Sequence, residues 1–269
     1  MKMNKIKKLC LIIIFLMILT GLLGPAIYRY QADQMIGQPL QSPSAEHILG
    51  TNRLGQDNFA ALLNGFRLSI IIALIAGAAS VSIGLIAAVI AAYYNGRIKD
   101  FILWIVDLFV IIPDIIMIML FATFARPGIM NILFVMIFFS WSRVTKIIYS
   151  KVKAIMKQEN IQYTILLKPG ILNLTKKVWP DIKPAFISLF VRQAGRAVTY
   201  EATLSFIGIG DPTLKSWGQT IRRALDYEAI FWSDIYLWWL LPPLLALLIF
   251  ILALSILIFD FDYYQKGET

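Results

Sequence analysis

Four long stretches of this chain carry no charged residue: Leu9–Ile27, Leu68–Tyr94, Ile129–Ser142 and Ile235–Phe259. A fifth, Phe101–Ala125, carries only Asp107 and Asp114. A helix crossing a hydrocarbon core of ~30 Å needs roughly 20 apolar residues, and most of these stretches reach that length. The Ile129 stretch is the shortest and runs on into basic residues. Inside a bilayer every backbone N–H and C=O must be paired within the protein, which favours helices for such runs. Composition agrees. The chain is 59% apolar and 15% charged, where soluble domains carry about 25% charge. These features predict an all-α integral membrane protein with several spans.

The net charge of +9 does not mark a nucleic-acid binder, because of where the charge lies. Lys2, Lys5, Lys7 and Lys8 precede the first apolar run, and Arg97 and Lys99 share one short turn. A third group, from Arg143 to Lys183, crowds one hydrophilic stretch. Lys and Arg collect on the cytoplasmic side of membrane proteins. Putting all three groups inside predicts six transmembrane helices with both termini cytoplasmic. Residues 1–27 are then an N-terminal transmembrane helix, uncleaved, and 28–66 an extracellular segment. A transmembrane domain follows over 67–269, with a cytoplasmic loop at about 143–183. Membrane lipid is the expected surrounding and nucleic acid is not a partner.

Catalytic chemistry has little to stand on. No Gly-x4-Gly-Lys-Ser/Thr phosphate loop occurs, and His47 and Cys10 are the only residues of their kinds. A cluster of soft metal ligands is unavailable, and no disulfide can form within the chain. His47 reads as a structural residue of the outer segment.

Local patterns add detail. Ala76, Ser80, Gly84, Ala88 and Ala92 make a stripe of small residues at helical spacing, a seam for close helix packing. Pro113 is expected to kink the third span, and Asp107, near its inner end, to stay hydrated or pair with a basic residue. In the basic stretch, Ile161, Ile165, Leu166, Ile171, Leu172 and Leu174 predict one or two short helices whose apolar face awaits a partner. Trp179-Pro180-Asp181 and Pro184 read as the opening of the fifth span, with Asp181 as its cap. Further along that span Arg192 and Arg196 share a face, while Glu201 points away from both. Arg196, nearer the middle, is a candidate positive wall for a carboxylate-bearing cargo. Glu201 is expected near the outer end, paired across helices or with the following turn, as a gate element. Gly208, Gly210 and Pro212 stop the span. Past them Trp217 is expected to anchor at the interface, as are Trp238 and Trp239.

Two stretches resemble a known family. HILGTNRLGQDNFAALLNGFRLS, at His47–Ser69, is similar to the segment before the second span in permease subunits of dipeptide, oligopeptide and nickel ABC importers. Gly50, Thr51, Gly55, Asp57, Gly65, Arg67 and Ser69 match its pattern, while Ile48, Asn52 and Gln56 depart from it. EATLSFIGIGDPTLKSWG, at Glu201–Gly218, resembles the family's E-A-x-L-S-F-L-G-L-G-x-P-x-x-x-S-W-G signature, with Ser205, Gly208, Gly210, Pro212, Trp217 and Gly218 in register. The resemblance implies the type I ABC importer permease fold. It also implies a pore subunit for peptides, nickel or a metal–chelate complex, without catalysis of its own. Implied partners are a homologous second permease, two ATPase subunits that bind ATP and Mg, and an extracellular or lipid-anchored substrate-binding protein. No cofactor is expected on this chain. The resemblance places ATPase coupling at Glu159, Ile161, Tyr163, Thr164, Lys168, Pro169 and Gly170, where Tyr163-Thr164 and Lys168 replace the family's alanines and glycine. Two rivals remain open: an ion-coupled secondary transporter or channel using Asp107, Arg196 and Glu201, and a receptor or scaffold that binds without transport.

Overall fold

The computed structural model describes residues 5–94, 96–124, 128–159, 161–162 and 170–267, with side chains followed to residue 258. Helices dominate. Helix α1 is Lys5–Ile27, α2 Asn58–Tyr93, α3 Arg97–Ile111, α4 Asp114–Phe124 and α5 Ile129–Ile155. Then come α6, Ile171–Ile207, α7, Trp217–Leu225, α8, Tyr236–Trp239, and α9, Leu241–Gly267. Among the described residues the only β pairing is two isolated bridges, Met35 with Gln56 and Thr51 with Asp57.

Helix α2 is the mast. It packs along α5 and α6, and α1 also lies against it. The stripe of small residues is what brings α5 so close. Ala76, Ser80, Ala88 and Ala92 are buried, and a Cβ on Gly84 would stand 2.6 Å from Val144 Cγ1. Outward, Phe15, Ile86, Phe101, Trp104, Phe134 and Leu252 are exposed, a surface suited to lipid rather than water.

Four helices are long and apolar enough to cross a membrane, and a fifth if the bent pair α3–α4 counts as one span. That pair turns by 85° around Ile112 and Pro113. Proline removes one helical hydrogen bond, and here the predicted kink is a full break. Helix α6 has the length, 37 residues, but carries Arg192, Arg196 and Glu201 in its second half.

Helix ends fall at three places of note. Helix α2 begins at Asn58, inside the expected loop 28–66, because the Asp57 carboxylate caps it by accepting from Ala60 N at 2.8 Å. Within the stretch expected as a cytoplasmic loop, about 143–183, α5 runs to Ile155 and α6 starts at Ile171. Asp181 does not cap the fifth span, since Pro180 and Pro184 lie inside α6 and Gly170 precedes its first turn. Leu174, Val178, Ile182, Ala185 and Leu189 form one buried stripe through both prolines, which are themselves exposed. Packing of that stripe outweighs the local cost of proline.

The bundle has two ends. Residues 28–57, α7 and α8 lie at one, the clasp end. At the other, the connector end, α5 ends and α6 begins. The start of α1 and the last described side chains of α9 also meet there, where Cys10 packs with Ala253 and Leu257.

Candidate functional site

At the clasp end the segment before α2 folds back on that helix. His47 Nδ1 lies 2.8 Å from Asp57 Oδ2, with both side chains buried, and the Tyr28 hydroxyl donates to the same oxygen at 3.2 Å. Asp57 thus caps α2 with one oxygen and gathers the loop with the other. Thr51, fully buried, accepts from Gln41 N at 2.8 Å, and Gly50 and Gly55 turn the chain at positive φ. Burial, and then the Asp57 carboxylate it faces, push the Tyr28 phenol up to about 12.

The stretch from Glu201 to Gly218 ends one helix and starts the next. Gly208, at φ 83°, closes α6 in the left-handed region, which costs glycine no Cβ clash. Ile209 N and Gly210 N then donate to Leu204 O at 2.9 and 3.0 Å. Arg223 on α7 donates to the Pro212 carbonyl, and the Ser216 hydroxyl caps α7 by accepting from Gln219 N at 3.2 Å. Trp217 is 1% exposed. The indole lies over Gly65 and packs edge-on against Phe66 and Phe250, so it is a core residue and not the expected interfacial anchor. Trp239 is likewise buried, and Trp232, 90% exposed, is the bare tryptophan nearby. Gly218 lets α7 rest directly on α6, since a Cβ there would stand 2.6 Å from Ala202 Cα.

Glu201 is buried at 1% exposure, which its expected place near the outer end did not require. Its Oε1 accepts from Ser205 Oγ at 2.7 Å, one turn on, and Ser216 flanks the same carboxyl. No cation lies within ion-pair distance of it among the described residues.

The structure assembles a further buried carboxylate that the sequence does not single out. Asp114, 3% exposed, begins α4 at the break after Pro113. Arg143 Nη2 of α5 stands 2.8 Å from its Oδ1, and Arg196 Nη1 of α6 stands 3.4 Å from its Oδ2. The Tyr200 hydroxyl also donates to Oδ2, at 3.3 Å. Three helices are tied through one carboxylate. An apolar cavity of about 160 Å³, walled by Phe109, Met117, Phe121 and Phe139, opens beside Asp114. On that side the elbow is loosely packed, and the ionic clasp holds it.

A family profile described as "Binding-protein-dependent transport system inner membrane component" matches residues 80–265. The chain belongs to that family. Among its relatives, the oligopeptide transport system permease protein OppC of Bacillus subtilis (strain 168) is 29% identical over 220 residues, 80% of this chain and 72% of the relative. The dipeptide transport system permease protein DppC of the same strain is 25% identical over 224 residues, 81% of this chain and 69% of the relative. A putative peptide transport system permease protein of Brucella suis biovar 1 (strain 1330) is 24% identical over 250 residues, 92% and 82% of the two chains.

As an inner membrane transport component, a multi-pass membrane protein, the chain keeps its expected residues in separate places. Arg196 enters the Asp114 cluster. Glu201 and Ser205 face each other away from it. Asp107 pairs with Lys146 at 2.7 Å, both 57% exposed, so the expected basic partner is found. Arg192, one turn before Arg196, is exposed. At the connector end Glu159 is exposed, and a Cβ on Gly170 would meet nothing within 4 Å among the described residues. Tyr163, Thr164, Lys168 and Pro169, with Ile165 and Leu166, lie outside the described residues. The apolar face expected to await a partner is partly covered by the chain itself. Ile161 and Leu174 are 1% and 2% exposed, packed with Ala92, Val152 and Ile155, while Leu172 stays exposed at 74%. Asp114 had one legible signal, a carboxylate beside a proline within an apolar run.

Proposed function

We propose that this chain is the pore-forming permease subunit of an ATP-driven importer for peptides, oriented with both termini and the connector in the cytoplasm. The family match over residues 80–265 carries this reading, and the peptide permeases among its relatives supply the cargo class. Nickel or a metal–chelate complex is the narrower alternative cargo. Six spans follow when α6 and the bent pair α3–α4 each count as one. The chain pairs with a second, homologous permease, receives cargo at the clasp end from a substrate-binding protein, and meets ATPase subunits at the connector.

Coupling is assigned to residues 159–170. ATP and Mg act on the partner ATPases, and their closure is transmitted through this short connection into α5 and α6. Because Ile161 sits in the core, deletion of the connector would unfold it. Exposed Glu159 is the better probe. A cysteine at Glu159, in a chain lacking Cys10, is expected to cross-link to the ATPase subunit in the assembled complex. Uptake into proteoliposomes is expected to need ATP and a competent ATPase. Uptake driven by an ion gradient with a dead ATPase would instead establish the secondary-transporter reading.

A further inference from the structure

We infer that the open faces of Arg143 and Arg196 form a carboxylate-binding subsite where α4, α5 and α6 meet, with Asp114 as their resident counter-ion, and that it takes the C-terminal carboxylate of a passing peptide. The inference rests on the peptide reading above.

Charge comes first. Two guanidiniums converge on one carboxylate, so the cluster keeps one excess positive charge. No second carboxylate lies on either arginine among the described residues: Asp107 is taken by Lys146, and Glu201 faces Ser205. The location makes that excess costly. Arg196 stands eleven residues before the end of α6 at Ile207, about 16 Å along the axis. An uncompensated cation at such depth is expensive in lipid and marks a path for ions or substrate.

Exposure then separates the partners. The Asp114 side chain is 1% exposed, whereas those of Arg143 and Arg196 are each 33% exposed. The anion is sealed and the cations are open. Donor capacity is also unspent. A guanidinium carries five N–H donors in a planar fork; Arg143 Nε, itself buried, has no protein acceptor among the described residues and is not part of the open face. Two guanidiniums from different helices stand in ion-pair contact with opposite oxygens of one carboxylate before any ligand arrives. Such forks favour a second planar carboxylate. The subsite would engage the one group that peptides of any sequence share.

The test uses the assembled importer in proteoliposomes with its own binding protein. A pooled library of di- to pentapeptides is offered as free acids and as C-terminal amides, and vesicle contents are read by mass spectrometry. The readout is the acid-to-amide uptake ratio. The binding protein is common to all variants, so its preference cancels. Arg196→Gln is expected to lower the ratio by about tenfold, the scale of one hydrogen bond to a charged group. Arg143→Gln should lower it similarly, and Arg196→Lys, with charge but no fork, part of the way. Asp114→Asn enlarges the positive excess and should raise the ratio. A merely structural clasp predicts something different: all variants depress both forms alike and the ratio holds, which would overturn the subsite alone. Wild-type importer that takes up neither form would overturn the peptide reading, and the subsite with it.

Discussion

Two buried carboxylates on neighbouring helices differ in what surrounds them, and that difference predicts opposite responses to neutralisation. Asp114 has two guanidiniums on it, so its charge matters to its neighbours. Glu201 has hydroxyls alone, Ser205 and Ser216, and an amide oxygen accepts from a hydroxyl as well as a carboxylate does. Glu201→Gln is therefore expected to fold and to support ATP-coupled uptake near the wild-type rate. Glu201→Leu strands the buried serines at a cost of about 1–3 kcal/mol, visible as a lower thermal midpoint of the purified complex. A collapse of uptake in the glutamine variant, with stability unchanged, would show that the charge itself is needed. Tyr28 supplies a pH prediction outside the membrane. Its phenol is pushed up to about 12, from 10, by burial and by the Asp57 carboxylate. A pKa raised in the folded state means that the stabilisation is complete below pH 10 and is lost as pH climbs from 10 to 12. The thermal midpoint of wild type should fall more steeply across that window than that of Tyr28→Phe. Parallel falls would mean that the clasp does not depend on this hydroxyl. Residue roles of this kind were half legible. Polar residues in an apolar run announce themselves, but their partners come from distant helices: Asp114 and Tyr200 are 86 positions apart.

Spans α1, α2 and α9 were readable because runs of uncharged residues leave little but helix inside lipid. So was the seam of small residues on α2. Helix α6 was misread at its start for a definite reason: Trp-Pro-Asp and a second proline form a strong start signal when read locally. The competing signal, buried residues at helical spacing from Leu174 to Leu189, runs through both prolines. Trp217 was misplaced similarly, because an indole near a span end suits the interface, and only the facing glycine on α2 shows that it is swallowed. Exposed prolines that interrupt a packed helix make a prediction at this scale. Pro180→Ala restores one N–H to the ladder and removes a ring clash, so the thermal midpoint should rise. No change would indicate that the helix begins at Pro180, and that the stretch from Ile171 is held by packing without a continuous ladder. The elbow at Pro113 differs. There the break places Asp114 in the first turn of a new helix, where a carboxylate is favoured by the helix dipole, and an alanine would work against that placement.

At the scale of the molecule, the two ends of the bundle have different characters. The clasp end is a tied surface, with a capped helix, a folded-back loop, and α7 resting on α6 through Gly218. The proposed ATPase contact falls at the connector end, where the basic residues gather and where Cys10 of α1 packs with Leu257 of α9. Positive charge at that end argues for the cytoplasm, although Arg53, Arg222 and Arg223 at the clasp end oppose the trend. Labelling decides the orientation without reference to transport. In a chain whose buried Cys10 is replaced by alanine, one cysteine is placed at Trp232, 90% exposed at the clasp end, and in a second chain at Gly170. Both sites tolerate the change: Trp232 is almost bare, and a Cβ on Gly170 meets nothing within 4 Å among the described residues. A membrane-impermeant maleimide added to intact cells is expected to label the Trp232→Cys chain and to leave the Gly170→Cys chain unlabelled until the membrane is opened. The reverse pattern would invert the molecule and move the proposed ATPase contact to the clasp end. Labelling of both in intact cells would mean that α6 does not separate its two ends across a bilayer, and the six-span count would then fall with it.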